Sequence, residues 1–566
     1  METSDSQNLA SLSDEYWDAR MRNNPVFATA LGDRRFDDLL DDIRPEAVAR
    51  FEQIMRSFAE RRAKIRGDEL SPGDRITFAA LGSDIQAALD RTSCHLEEWT
   101  VDPLGGPQVD FQNLEAIQPV RTPAEGAAMV RRCGAMGPYF DDQIANMRRG
   151  AAEGKLPVRI CVEKAVDQIR ELLSRPDADW PLLKPLAVQH PDWIEDERKR
   201  FREDLKAVLA SSVRTGYEKY LAFLASEVMP NARPQDRPGI VHVPGGAECY
   251  SKLIMAATSL RLTAEELYQT GLREVARINA ETAALGEKVF GTPDRRETIR
   301  RLRTDSSLYF SSRDEVAEKA EAALKRAKAA IPRWFGRLPK ADCIVARMEE
   351  HEEKYNTIAY YRQPAMDGSV PGRYYINTSE PETRPRYEAE ALAYHESIPG
   401  HHLQIAIAQE LEGIPKFRRN LGVTAFVEGW GLYSERLADL MGLYSSDLDR
   451  LGMLSYDSWR ACRLVVDTGM HAMGWSREQA IGYMFDNSAL AKNNIVNEVD
   501  RYISWPGQAV AYKTGQLEML SLRSEAMKRL GAGFDYRKFH DALLGNGALP
   551  LGTLRDVVSG SLAGAD

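Results

Sequence analysis

The sequence predicts a mainly α-helical protein of two lobes, with a small three-stranded β-sheet set just ahead of a histidine-bearing helix. Three observations lead there. Apolar residues recur at helical spacing along most of the chain. One stretch, between residues 343 and 378, breaks that habit. And 566 residues exceed the roughly 250–300 at which a single hydrophobic core stops growing.

The elements follow in order. Residues 5–30, with Leu9, Leu12, Tyr16, Trp17 and Met21 on one face, read as an amphipathic helix, and 43–66 and 72–90 read likewise. The stretch 101–120 carries Asp102-Pro103, Gly105-Gly106-Pro107 and Pro119 and reads as irregular. Helical spacing returns at 123–150, 158–174, 196–228, 263–288 and 312–330, with Pro-rich breaks at 176–195 and 229–246. Residues 343–347, 357–361 and 372–378 are rich in β-branched and aromatic residues and read as strands, with Asp367-Gly368 as the turn between the last two. Helix then dominates from Glu428 to about residue 530. Residues 1–335 and 336–566 are expected as the two lobes of one domain.

Composition narrows the function. Hydrophobic residues make up 43% and charged residues 28%, ordinary for a soluble globular protein. A net charge of −10 with no basic block argues against nucleic acid as a partner. The polar start Met-Glu-Thr-Ser-Asp-Ser-Gln lacks the apolar core of a signal peptide, and no apolar run approaches membrane-spanning length. The six cysteines, Cys94, Cys133, Cys161, Cys249, Cys343 and Cys462, stand singly, so free thiols in a reducing, cytoplasmic compartment are expected.

The most informative stretch runs Tyr394-His395-Glu396-Ser397-Ile398-Pro399-Gly400-His401-His402, which holds three of the nine histidines. Imidazole and carboxylate are the usual ligands of Zn²⁺, and a His-Glu pair followed by a second His supplies two ligands and a general base. The spacing is not the plain H-E-x-x-H. Six residues on a regular helix rise about 9 Å and turn about 600°, so His395 and His401 can share a metal only across a bulge or break. Pro399-Gly400 provides one. Glu428 follows 27 residues after His401, inside Ala425-Phe426-Val427-Glu428-Gly429-Trp430. An unpaired carboxylate in so apolar a run is costly; metal ligation would remove that cost, as would a cap or a salt bridge. Glu435 lies two turns further along the same face.

These segments resemble a bacterial family of unknown function with the signatures H-E-x-x-P-G-H-H-L-Q and E-G-W-x-L-Y-x-E. That family looks like a branch of the zincin metallopeptidases, similar to the neurolysin and thimet-oligopeptidase type and to the angiotensin-converting-enzyme type. Phe426-Val427-Glu428 matches the F-V-E segment of the neurolysin type. The resemblance implies a zincin-like body with a deep cleft, one zinc ion per chain held by His395, His401 and Glu428, and Glu396 as general base. Either His401 or His402 could be the second histidine ligand. The bend just before His401, and alignment with the neurolysin type, favour His401 and leave His402 near the cleft.

Further candidates stand outside this core. His471 and Asp467 lie at i, i+4 and share a helix face, so Asp467 could orient a site histidine; Arg463 lies one turn earlier. Tyr375 and Asn377 fall on the strand nearest the His-Glu helix, whose open edge would take an extended substrate by strand addition. In the segment 500–515, similarity to the converting-enzyme type implies that Tyr512 stabilises an oxyanion, while Gln508 or Lys513 hold a terminal carboxylate; Arg501 is a further candidate to bind substrate. The expected activity is hydrolysis of short peptides or peptide-like amides by a monomer or homodimer. A zinc amide or ester hydrolase of a non-peptide metabolite, or an inactive metal-binding protein, are the alternatives.

Overall fold

A computed structural model describes residues 4–349, 353, 357–365 and 370–563. Helices dominate, as the periodicity predicts. The N-terminal part contains α1 (Ser4–Asn23), α2 (Pro45–Ala63), α3 (Pro72–Thr92), α4 (Pro123–Gly134), α5 (Met136–Ala152) and α6 (Arg159–Ser174), followed by α7 (Gly246–Thr258), α8 (Ala264–Phe290) and α9 (Arg313–Ala330). Their starts carry the expected signals. Thr122 and Thr263 form capping boxes with Glu125 and Glu266, which satisfy backbone donors left open in a first turn.

Three strands follow: β1 (Cys343–Arg347), β2 (Ala359–Arg362) and β3 (Gly372–Ile376). The order is β1-β3-β2, with β1 parallel and β2 antiparallel to β3. The last strand is therefore central, and both its edges are used. The expected Asp367-Gly368 turn lies outside the described residues. Residues alternate across a sheet, so Tyr374 and Ile376 are buried while Tyr375 faces away.

The C-terminal part contains α10 (Ala389–Glu396), α11 (His401–Gln409), α12 (Thr424–Leu440), α13 (Asp447–Met473), α14 (Lys492–Ser504) and α15 (Ala511–Leu530). The helix α13 is buried along nearly its whole length and packs along α8. The hydrophobic cores cross the boundary expected near residue 335. One joins Val316, Ala320 and Leu324 of α9 to the sheet, α10, α11, α12 and α15. Another joins Val275 and Ile278 of α8 to Leu454 and Val466 of α13.

The cysteine reading needs correction. Cys94 and Cys249 form a disulfide, Cα–Cα 5.3 Å, between the segment after α3 and helix α7. The other four are free and buried. A pair 155 residues apart has no local sequence signature. Among the described residues no helix is long and apolar enough to cross a membrane.

Candidate metal centre

The helix carrying His395 stops at Glu396, and α11 starts at His401. The chain between them turns through a cis Ile398–Pro399 bond. A break thus replaces the bulge that the spacing allowed. The turn's open carbonyls are met by α12: the Trp430 indole donates to Pro399 O at 2.9 Å, and Ser434 donates to the same oxygen at 3.2 Å. Buried backbone acceptors need such partners, so the tryptophan of the E-G-W segment fixes the turn.

The result brings His395, His401 and Glu428 together, with one ligand atom of each within 4.8 Å of the others. The Glu428 Oε2 atom lies 3.6 Å from His395 Nε2 and 3.7 Å from His401 Nε2. The two imidazoles stand nearly perpendicular, 4.7 Å apart between centroids. Two glycines permit this approach. A Cβ at Gly431 would lie 2.5 Å from the His395 ring, and one at Gly429 would lie 2.5 Å from the Gly515 Cα. The first leaves room for the imidazole; the second lets α12 and α15 close on each other beside Glu428.

His395 Nδ1 sits 2.8 Å from Glu435 Oε1. A carboxylate only accepts, so Nδ1 carries the proton and Nε2 turns its lone pair toward Glu428. Lone pairs facing one another across 3.6 Å need a proton or a cation between them. Tetrahedral ligands at 2.0–2.1 Å from a metal stand about 3.3–3.4 Å apart, so Glu428 already lies near ligand spacing from each imidazole. The Glu435–His395 pair is the arrangement that fixes the tautomer of a metal-binding histidine.

Electrostatics show what the cluster does without an ion. Burial alone would lower the His395 pKa, but Glu428 and Glu435 outweigh it and raise it to about 9. Burial and the His395 charge push His401 down to about 4. Burial would raise the Glu428 pKa, yet the two histidines hold it at about 2. Glu396, raised to about 7 chiefly by burial, has no hydrogen-bonding partner among the described residues.

The other candidates divide. Tyr512 is near enough to Glu428 for that charge to help burial raise its pKa, and the Arg463 guanidinium lies 4.2 Å over its ring. Arg463 is buried, donating to Tyr502 and Glu498, with one nitrogen left without a partner. Gln508 accepts from Arg501 at 2.8 Å, and Arg501 also pairs with Glu498. His402 is elsewhere: Nδ1 accepts from the Tyr361 hydroxyl at 2.9 Å and Nε2 donates to Ala341 O at 3.2 Å. It ties α11 to β2 and holds no carboxylate.

Five expected site residues are corrected. His471 accepts from Ile240 N at 3.1 Å and donates to Tyr502 O at 2.9 Å, so neither ring nitrogen is free. Asp467 does not orient it but accepts from Tyr250 and Gly507 N. Lys513 is fully buried on Asp457 at 2.7 Å and Glu274 at 3.1 Å, which leaves no charge for a substrate. Asn377 holds Glu353 O and Thr357 O. Tyr375 stacks on Tyr360 and accepts from Arg373, away from the ligands. Its neighbour Tyr374 is the strand residue that feels Glu396; burial first and that charge next push its hydroxyl well up. The two-residue period of the strand was the signal that could have chosen Tyr374.

A helical body presenting His395, His401 and Glu428 from three helices defines a protein with a candidate metal centre. The chain belongs to a bacterial protein family of unknown function, DUF885, whose model matches residues 25–558. No curated protein matches it. Among solved structures it is similar to a protein from Colwellia psychrerythraea called a "putative lipoprotein", with 27% identity, all of both chains covered and a TM-score of 0.90. A second, from Shewanella oneidensis and called a "putative lipoprotein of unknown function", is 19% identical, with 97% of this chain and 99% of that one covered and a TM-score of 0.76. That second likeness concerns the fold alone.

Proposed function

We propose that this protein is a zinc-dependent hydrolase of peptide or peptide-like amide bonds, with a zincin-like site of the gluzincin type. The observation that carries the reading is the convergence of three lone-pair donors beside a carboxylate, Glu396, that accepts no hydrogen bond from the described residues. Two imidazoles and one carboxylate suit zinc. When bound, such an ion acidifies water and polarises a carbonyl.

The chain's own residues supply the rest. His395 and His401 bind through Nε2, and Glu435 keeps the first in the binding tautomer. Glu396 takes a proton from the attacking water and delivers it to the leaving nitrogen. Tyr512, held by Arg463 beneath its ring, offers a hydroxyl to charge growing on the carbonyl oxygen. The site lies among buried apolar helices, which strengthens each of these interactions.

Elemental analysis of untagged protein should find about one zinc per chain, lost in His395→Ala. Hydrolysis of short peptides, screened beside acylated small molecules, should vanish on chelation and return with zinc. A metal-free preparation with full activity would overturn the reading, and cleavage confined to the acylated small molecules would move the substrate to non-peptide amides. The Cys94–Cys249 disulfide favours an oxidising compartment over the cytoplasm, in keeping with the name of the similar Colwellia psychrerythraea protein. Thiol titration of the unfolded chain without reductant should then count four cysteines, the number left free.

A further inference from the structure

A cavity of about 290 Å³ opens beside the His395 helix. Its size is at the low end for ligand pockets, enough for one side chain or a small amine. Aromatic rings form much of its wall: Tyr309, Phe310, Tyr374, Tyr387 and Tyr456. Into it opens Glu388, the residue just before α10.

Glu388 is 7% exposed, and among the described residues its carboxylate takes one hydrogen bond, from Ser455 at 2.9 Å. Among the described residues no cation lies within ion-pair distance of it, and Arg460 acts on it only as a more distant charge. Arg384 also lines the cavity, but its guanidinium is turned onto the Ser379 carbonyl and hydroxyl. A buried carboxylate with so little support is costly, and burial pushes this one up to about 7. Several buried acids meet a base: Asp457, Glu390 and Asp500 each pair with a Lys or Arg. Glu388 and Asp467 do not, but Asp467 accepts from Tyr250 and Gly507 N, whereas Glu388 lines a cavity.

The cavity adjoins the metal centre. Glu388 precedes His395 by seven residues, a rise of about 10 Å on nearly the same helix face. Tyr374 joins the two, since it lines the cavity and responds to the Glu396 charge.

We propose that this cavity is a specificity pocket for a cationic side chain, Lys or Arg, of the substrate, with Glu388 as its counter-charge. The inference rests on the hydrolase reading for the word substrate, not for the pocket itself. Ring faces attract ammonium and guanidinium groups, the cavity walls take the methylene stem, and the Glu388 carboxylate accepts charge-assisted hydrogen bonds.

The test uses side-chain mimics first. Metal-loaded wild type and Glu388→Gln are titrated calorimetrically with n-butylamine, n-propylguanidine, n-butanol and butyrate. Wild type should prefer either cation to butanol by about 10-fold or more, and Glu388→Gln should lose that preference. Equal binding of butanol and butylamine to wild type overturns the proposal even if the variant fails to fold. Stronger binding of butyrate, or a preference that survives in Glu388→Gln, overturns it too. Peptides differing only by Lys or norleucine next to the cleaved bond form the second arm. A higher kcat/KM for Lys that disappears in Glu388→Gln supports the proposal; cleavage indifferent to Lys refutes it. Cation binding with no cleavage of any peptide would sink the hydrolase reading and leave the pocket standing.

Discussion

Two charge clusters, one around buried Asp457 and one around buried His395, meet at helix α12, and they differ in one respect. Around Asp457, the acids Asp457, Glu274 and Glu281 meet the cations Arg436, Lys513 and Arg277, three of each, every acid within hydrogen-bonding distance of a base. Around His395, three carboxylates, Glu396, Glu428 and Glu435, surround two imidazoles, and the one arginine in ion-pair range among the described residues, Arg460, stays 3.9 Å from Glu435. The first cluster is complete and holds α8, α12, α13 and α15 together. The second has lone pairs left over. Burial by itself does not mark a functional centre; an excess of donors of one kind, tolerated in a buried place, does.

The sharpest way to break this contrast is at Glu396. Replacement by Gln keeps the shape and removes the base, so turnover on a peptide substrate should fall by about 10²–10⁴-fold, with metal content and Tm unchanged. Near wild-type turnover in Glu396→Gln would remove it from the reaction.

The complete cluster should respond in stability instead. Asp457→Asn leaves Arg436 and Lys513 buried without their shared counter-charge, a loss of about 3–5 kcal/mol, read as a lowered denaturation midpoint. Burial alone would raise the Asp457 pKa, but Arg436, Lys513 and Arg277 hold it far below the ordinary range. Its stabilisation is therefore fully present above the unfolded value near 3.9 and is lost as pH falls below it toward the folded value. The gap between wild type and Asp457→Asn should be constant from pH 5 to 7 and shrink below about 4. A gap that stayed constant down to pH 2 would show that Asp457 is not the titrating partner.

Glu435 sits between the two kinds of region, a structural carboxylate serving a ligand. Glu435→Gln should weaken zinc binding by about 10–100-fold, measured by competition with a chelator, without abolishing it. The smallest effect is expected at His402. Its ring is spent on Tyr361 and Ala341, so His402→Ala should bind zinc about as wild type does, while His401→Ala loses the metal. The reverse pattern would mean that the ligand geometry has been assigned to the wrong histidine.

Local features of the sequence determined a good deal. The helical class came from periodicity, the three strands from their β-branched and aromatic runs, and the break between His395 and His401 from Pro399-Gly400. Glu428 stood out because a carboxylate in an apolar helix needs a reason, and Glu435 because it follows two turns along the same face. What failed was decided by non-local approach. Asp467 and His471 share a face as their spacing says, yet the backbone of residues 239–240 and of Tyr502 arrives to take the imidazole. Lys513 looked free because Asp457 and Glu274 lie far away in sequence. Cys94 and Cys249 meet only once α7 packs on α3. Glu388 was unremarkable until the tertiary structure gave it a cavity and, among the described residues, no cation in ion-pair range. Spacing within an element fixes which side chains point the same way; only the packing of distant elements fixes what they meet there.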